Sequence, residues 1–219
     1  VEGPPGRGAA GMRIQDRPWY PVVFMVVLSA VFGTAVSTVE VLSLPRQQAG
    51  EQARLRARVL QAFGVEAPTD PVALAGVWKA RVVEGRDEVG PYYALRERGR
   101  VKGYAFPFEA PGFWGAIFGV VAVDVRAETI LGISFLRHEE TPGLGGRISE
   151  AWFRDQFRGK SLEARDGRVL EFVFRKPRGP REVEAITGAT QTSNRLGRFL
   201  NEFLAGLPQR PVFRRGGDG

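Results

Sequence analysis

Between Trp19 and Val39 the chain carries no charged side chain. The stretch WYPVVFMVVLSAVFGTAVSTV is 21 residues long, and as a helix it extends about 30 Å, the thickness of a bilayer core. Trp19 and Tyr20 stand where interfacial aromatics belong, and Pro21 falls in the first helical turn, where its missing N–H is harmless. A helix buried in a soluble core needs polar relief on its outer face, and here the only polar groups are Ser29, Thr34, Ser37 and Thr38. A cleaved signal has a shorter apolar run ending at a small-residue site, whereas this run leads into EVLSLPRQQ. The expectation is a retained transmembrane helix over residues 19–44, preceded by an N-terminal arm over 1–18. The flanking arginines do not orient it: Arg7, Arg13 and Arg17 precede it, and Arg46, Arg54, Arg56 and Arg58 follow.

The remaining chain is long enough for one domain of ordinary size. With no Cys it holds no disulfide and no thiolate-ligated iron–sulfur cluster, and with His138 as its single His it builds no His-rich metal site. No G-x-S-x-G elbow accompanies His138. The formal charge of +7 comes without a helix-turn-helix or an aromatic-basic RNA-binding signature. We therefore expect no nucleic-acid partner and a basic, solvated surface close to anionic headgroups. Any redox chemistry must be carried by an organic cofactor.

Periodicity lays out the rest. Residues 46–63 read as a polar helix with an apolar stripe of Leu55, Val59, Leu60 and Phe63, stopped by Gly64, within a juxtamembrane helix and linker over 45–70. PVALAGVWKA, 71–80, reads as a second helix. GAIFGVVAVDV and TILGISFLRH read as paired strands around the turn RAE, and VLEFVFR, 169–175, as another strand. SEAWFRDQF, 149–157, reads as a helix capped by Ser149, with Trp152, Phe153 and Phe157 on one face and Gly159 closing it. A last helix shows Leu196, Phe199, Leu200, Phe203 and Leu204 at helical spacing, ended by Gly206 and Pro208. The fold class is α+β: one domain over 71–208 with a mixed or antiparallel sheet and flanking helices, then a flexible tail over 209–219.

Two stretches stand out from this frame. EAITGATQTSN, 184–194, places the hydroxyls of Thr187, Thr190, Thr192 and Ser193 at the start of the last helix, with Gly188 and Ala189 keeping the backbone lean. A helix N-terminus there favours a phosphate, although Thr192 or Ser193 could simply cap the helix. HEETPGLGG, 138–146, follows a strand with Glu139 and Glu140 adjacent and three glycines, Gly143, Gly145 and Gly146, around Leu144. Such a loop lets backbone amides approach a flat ring; it also serves as an ordinary connection with His138 at the surface. Adjacent carboxylates on an extended backbone point apart, so one of Glu139 and Glu140 is expected in solvent.

Taken together and in this order behind one anchor, HEETPGLGG and EAITGAT resemble the FMN-binding subunits of two related bacterial membrane complexes. These complexes are the Na+-translocating NADH:quinone oxidoreductase and the Rnf-type ferredoxin:NAD+ oxidoreductase. LPRQQ after the anchor and GFWGAIFGVVAVD look more like the flavoprotein of the former. In that family a flavin transferase moves FMN from FAD onto a hydroxyl within Asp-x-x-(Ser/Thr)-Gly-Ala-(Thr/Ser). The resemblance makes Thr190 the acceptor and Thr187, Gly188 and Ala189 the preceding motif residues, with Glu184 where the family usually has Asp.

The resemblance further implies contacts to FMN from Glu140, Thr141, Gly143, Leu144 and Thr192. It implies a single-pass protein of the bacterial inner membrane with its domain on the periplasmic side, and other subunits of the complex and the flavin transferase as partners. The expected role is that of an electron-carrying subunit with no catalytic residue or metal of its own. A stand-alone tethered flavoprotein and an anchored binding module without a cofactor are the other readings.

Overall fold

The computed structural model describes residues 18–166 and 168–215. Most of the expected N-terminal arm, with Arg7, Arg13 and Arg17, and the last four residues of the expected tail lie outside the described residues. The chain divides into two compact units, residues 1–50 and 51–219. Helix α1 (Tyr20–Ala62) contributes to both. In the first unit its stretch Tyr20–Val39 has a mean hydropathy of 2.3, and none of it is buried, which sets it apart from a core helix. Thr34 and Thr38 return their hydroxyls to the carbonyls of Ala30 and Thr34 at 2.7 Å. Such back-bonding satisfies a polar group with no outside partner.

The second unit is organised by five antiparallel strands in sequence order: β1 (Val82–Arg86), β2 (Pro91–Glu97), β3 (Arg100–Pro111), β4 (Ala116–Asp124) and β5 (Ile130–Arg137). Arg98 and Gly99 both take positive φ in the two-residue β2–β3 connection, as a twist-matched hairpin turn requires. Alternation along β3 and β4 sends side chains to both faces, and both faces are covered. Phe106, Phe108, Ile117, Val121 and Val123 join one core with Leu196, Leu200 and Leu204. Ala105, Val120 and Ala122 join a second with Val59 and Leu60 of α1 and with Leu74 and Trp78 of α2 (Pro71–Arg81). Gly119 faces the Phe108 ring, which occupies the space a Cβ would take. Each fully buried Leu, Ile or Phe contributes about 1.5–3 kcal/mol.

Helix α4 (Thr190–Gly206) lies against the first face and buries Thr192, Ser193, Leu196, Gly197, Leu200 and Leu204. Its apolar stripe matches the expected spacing. Elsewhere tertiary contacts override local pattern. The strand expected over 169–175 is only β6 (Glu171–Val173), paired in parallel with β7 (Glu182–Glu184). The amides of Val169 and Leu170 both donate to Asn201 Oδ1 at 2.7 Å, so α4 takes the bonds a strand neighbour would have taken. Helix α3 (Ala151–Asp155) starts after Glu150, not at a Ser149 cap. Phe153 and Phe157 are nevertheless fully buried.

The tail expected from residue 209 is folded as far as Arg215. Helix α5 (Pro211–Arg215) buries Val212 and packs Phe213 on Tyr104 and Phe106. Arg210 forms a buried pair with Asp87, donates to Gly90 O at 3.0 Å and lies 4.5 Å over the Phe106 ring.

Candidate functional site

Three segments meet at one end of the sheet: the β3–β4 turn, the loop after β5 and the first turn of α4. Between them lies a groove of about 360 Å³ lined by residues of all three, among them Phe113, Trp114, Glu140, Thr141, Leu144 and Thr190. Phe113, Trp114 and Leu144 are 45%, 65% and 44% exposed, an unusual display of large apolar side chains around one opening.

Glu140 ties the three segments together. Although it is only 5% exposed, its Oε1 accepts the amides of Phe113 at 2.6 Å and Trp114 at 3.2 Å, and its Oε2 accepts the Thr192 hydroxyl at 2.6 Å. One carboxylate therefore holds the aromatic turn, its own loop and the helix. Gly112 and Gly145 make room for it, since a Cβ on either would run into a Glu140 oxygen. From the other side Arg195 donates to Gly112 O at 3.0 Å and places its guanidinium 5.7 Å over the Phe113 ring. Glu139, its neighbour, is exposed, as the alternation of an extended backbone requires.

Helix α4 opens at Thr190, with Ala189 at the cap position and no side-chain cap bond. Neither hydroxyl proposed as a cap serves as one. Thr192 donates to Glu140, and Ser193 accepts the amide of Ile186 at 3.1 Å. The first-turn amides thus keep the positive end of a 17-residue helix free of any side-chain acceptor. Thr190 itself is exposed and lines the groove. Gly188 takes φ +82°, which a side chain rarely adopts, and a Cβ there would press on Leu144 at 3.1 Å.

Of the residues singled out in the sequence, Glu140, Thr141, Leu144, Gly188, Ala189, Thr190 and Thr192 line the groove. Thr187 and Gly143 are exposed outside its lining. Gly143 instead supplies a positive φ of 75° in the loop. Glu184 ends β7 half-buried, its amide held by Gln156 Oε1 at 2.6 Å. Phe113 and Trp114 were not anticipated as site residues. Their position beside GAIFGVVAVD was the available signal, an aromatic pair in a Gly-bounded turn.

His138 is half-buried, and its Nε2 lies 2.9 Å from Ser149 Oγ. Burial lowers its pKa, and the nearby Glu140 carboxylate opposes that shift. A second and larger groove, about 640 Å³, runs between α4 and residues 168–172; it is lined by Arg168, Arg198, Glu171 and Glu202 among others. It shares only the helix with the first.

The family model described as "FMN-binding domain" matches residues 112–205, a span that starts at the aromatic turn and ends within α4. Residues 112–205 are thus similar to FMN-binding domains. The matched span contains every wall of the groove, so the match and the geometry select the same place. Among curated proteins the chain is similar to the C subunit of the Na(+)-translocating NADH-quinone reductase from Yersinia pestis, 31% identical over 61% of this chain and 52% of that protein. The same subunit from Pasteurella multocida is 31% identical over 65% of this chain and 56% of that protein. The chain thus spans about half the length of these relatives.

Two crystal structures share its architecture. Shewanella oneidensis NqrC superposes with a TM-score of 0.64 at 18% identity, over 76% of this chain and 98% of that one, which establishes the shared fold. The C subunit of the Na(+)-translocating NADH-quinone reductase from Parabacteroides distasonis gives 0.60 at 25% identity, over 73% and 92%.

The residues present suit FMN. An exposed hydroxyl and an uncapped helix N-terminus stand at one end of the groove to meet a phosphate. Apolar walls from Leu144, Phe113 and Trp114 suit a flat heteroaromatic ring.

Proposed function

We propose that the chain is a membrane-anchored electron-carrying subunit of a Na+-translocating NADH:quinone oxidoreductase, with FMN attached through a phosphoester to Thr190. FMN, when bound, supplies the redox chemistry. The observation that carries the reading is Thr190 itself: an exposed hydroxyl on the first residue of an uncapped helix, opening onto a groove with aromatic walls. In the attachment a flavin transferase joins Thr190 Oγ to the FMN phosphorus of FAD; the hydroxyl proton leaves and the bond to AMP breaks. The α4 amides would then stabilise the phosphate charge, and Phe113, Trp114 and Leu144 would exclude water from the ring. Glu140 fixes the turn that presents the aromatic pair. A covalent link keeps the carrier loaded on a surface with no cofactor supply, which fits an anchor at Tyr20–Val39 and a domain on the periplasmic side of the inner membrane.

The test is to express the full chain in membranes with a flavin transferase and look for flavin fluorescence in the denatured band, with Thr190→Ala beside it. A fluorescent band that disappears in the variant supports the phosphoester. A dark band beside an active transferase overturns it, and points to Glu184 in the Asp position as the residue to restore.

A further inference from the structure

We infer that the hydrogen bond between His138 and Ser149 is a latch that closes the flavin loop, and that protonation of His138 opens it. This rests on the FMN reading above. Residues 138 and 149 flank the segment that supplies Glu140, Thr141, Leu144 and Gly145 to the groove. Inside it Thr141 O accepts from Leu144 N at 3.1 Å and Gly146 N at 3.0 Å, so the segment is tightly wound. Its two ends are joined by the 2.9 Å contact between His138 Nε2 and Ser149 Oγ. The loop folds directly over the imidazole, since a Cβ on Gly146 would meet His138 Cε1 at 3.4 Å and Thr141 O at 3.1 Å.

The other ring nitrogen is what makes the latch sensitive. His138 Nδ1 is buried and has no hydrogen-bond partner. A neutral imidazole keeps the Ser149 bond at modest cost, whereas an imidazolium carries a second N–H donor that nothing receives. The charged groups around it do not supply an acceptor. On the β5 side Glu139 is exposed, Arg137 lies over the Phe118 ring, and Glu140 is engaged by Phe113, Trp114 and Thr192. From the other side Arg147 pairs with Glu150, and the Arg154 guanidinium from α3 donates to Ser149 O at 3.0 Å. The depressed pKa of His138, set mainly by burial against the weaker pull of Glu140, has the same sense. The closed loop prefers the neutral form, so its advantage is complete above the ordinary His value of about 6.5 and is lost as pH falls below it.

The experiment uses the flavinylated full chain and reads flavin fluorescence anisotropy from about pH 8 to about pH 5. The expected result is high anisotropy at the upper end, lost on acidification in the wild type. In His138→Gln, which keeps a hydrogen-bonding group without a titrating charge, anisotropy stays high throughout. In Ser149→Ala it is already low at the upper end. A wild-type profile that is flat, or an acid loss that persists unchanged in His138→Gln, overturns the latch. Hydrogen exchange of residues 139–148 in the flavin-free chain over the same range reads the loop without the cofactor. A protein with no covalent flavin but with His138-dependent acid opening of that segment would sink the Thr190 reading and leave the latch standing.

Discussion

Glu140 at the groove and Asp87 in the β1–β2 turn are both carboxylates withdrawn from water, and they are held in opposite ways. Asp87 is locked to Arg210, with both side chains under a tenth exposed, and also accepts the amides of Val89 and Gly90 at 3.0 Å. Glu140 is held by two amides and a hydroxyl, and no cation is among its hydrogen-bond partners. The first arrangement closes a seam between the β1–β2 turn and the C-terminal segment, where nothing has to enter. The second stands beside an open groove and uses neutral donors from three segments. It fixes their spacing without placing a positive side chain against the site. A structural carboxylate and a site-building carboxylate therefore differ in their partners more than in their burial.

The largest effect that bears on this contrast is removal of Arg210. Arg210→Ala leaves Asp87 buried without its partner, and loss of one member of a buried pair costs about 3–5 kcal/mol. Urea unfolding of the chain should show that loss at neutral pH, with the proposed flavin attachment at Thr190 retained. Burial alone pushes the Asp87 carboxyl up, but the Arg210 hydrogen bond, the Gly90 amide and the Arg210 charge bring it below its ordinary value. Its contribution is thus present in full above the unfolded carboxylate pKa of about 3.9 and lost as pH falls through the folded value. The gap between wild type and Arg210→Ala should close below about pH 4.

Glu140→Gln is expected to cost less, about 1–3 kcal/mol, because one amide nitrogen must now face a donor. Its distinctive outcome is local: the flavin absorption and potential shift as the Phe113–Trp114 turn loosens. A variant with wild-type spectrum and potential would make Glu140 a purely internal brace. Gly145→Ala tests the same centre sterically. Its Cβ would run into Glu140 Oε2 and approach Thr192 Oγ1 at 2.7 Å, an overpacking cost of about 1–3 kcal/mol. Thr190→Ala should change stability by no more than about 0.5 kcal/mol, since the side chain is exposed. On the proposed attachment it should nevertheless abolish covalent flavin, a disproportion between stability and loading that neither Glu140 nor Asp87 would show.

What the sequence made legible follows the range of the contacts involved. The last helix, its buried stripe and the hydroxyl run at its start are local patterns, and they appear where periodicity and helix-start chemistry put them. The approach of loop 138–146 to that helix was carried by the family resemblance; the amino-acid pattern alone offered no reason for such distant residues to meet. Glu140 bonds Thr192 and Phe113 across 52 and 27 residues, and nothing in the neighbourhood of any of them announces the partnership. The misplaced boundaries have the same origin. Asn201 delays the start of β6 by taking the amide of Leu170 from 31 residues away, and His138 occupies the hydroxyl of Ser149 that a local rule assigned to a helix cap. Arg210 and Asp87, 123 residues apart, draw a segment with the composition of a loose tail back onto the sheet.

The smallest expected effect concerns a third carboxylate, whose own side chain is 12% exposed but whose Arg175 partner is 46% exposed. Glu182 accepts both guanidinium nitrogens of Arg175, at 2.6 and 2.7 Å, and the amide of Arg178 at 2.7 Å. The Arg175 hydrogen bond, with the Arg178 amide behind it, lowers its pKa to about 2. Solvent screens such a pair, so a shifted titration need not mean a stabilised fold. Carbon-13 NMR of the Glu182 carboxyl in Arg175→Ala should find the titration moved back toward the ordinary glutamate value of about 4.3, with the unfolding midpoint unchanged within error. A large drop in that midpoint would mean that a bidentate pair with a half-exposed guanidinium secures the 175–182 connection as firmly as Arg210 secures its seam. Exposure of the arginine partner would then not be what separates the carboxylates that hold this fold from those that merely titrate on it.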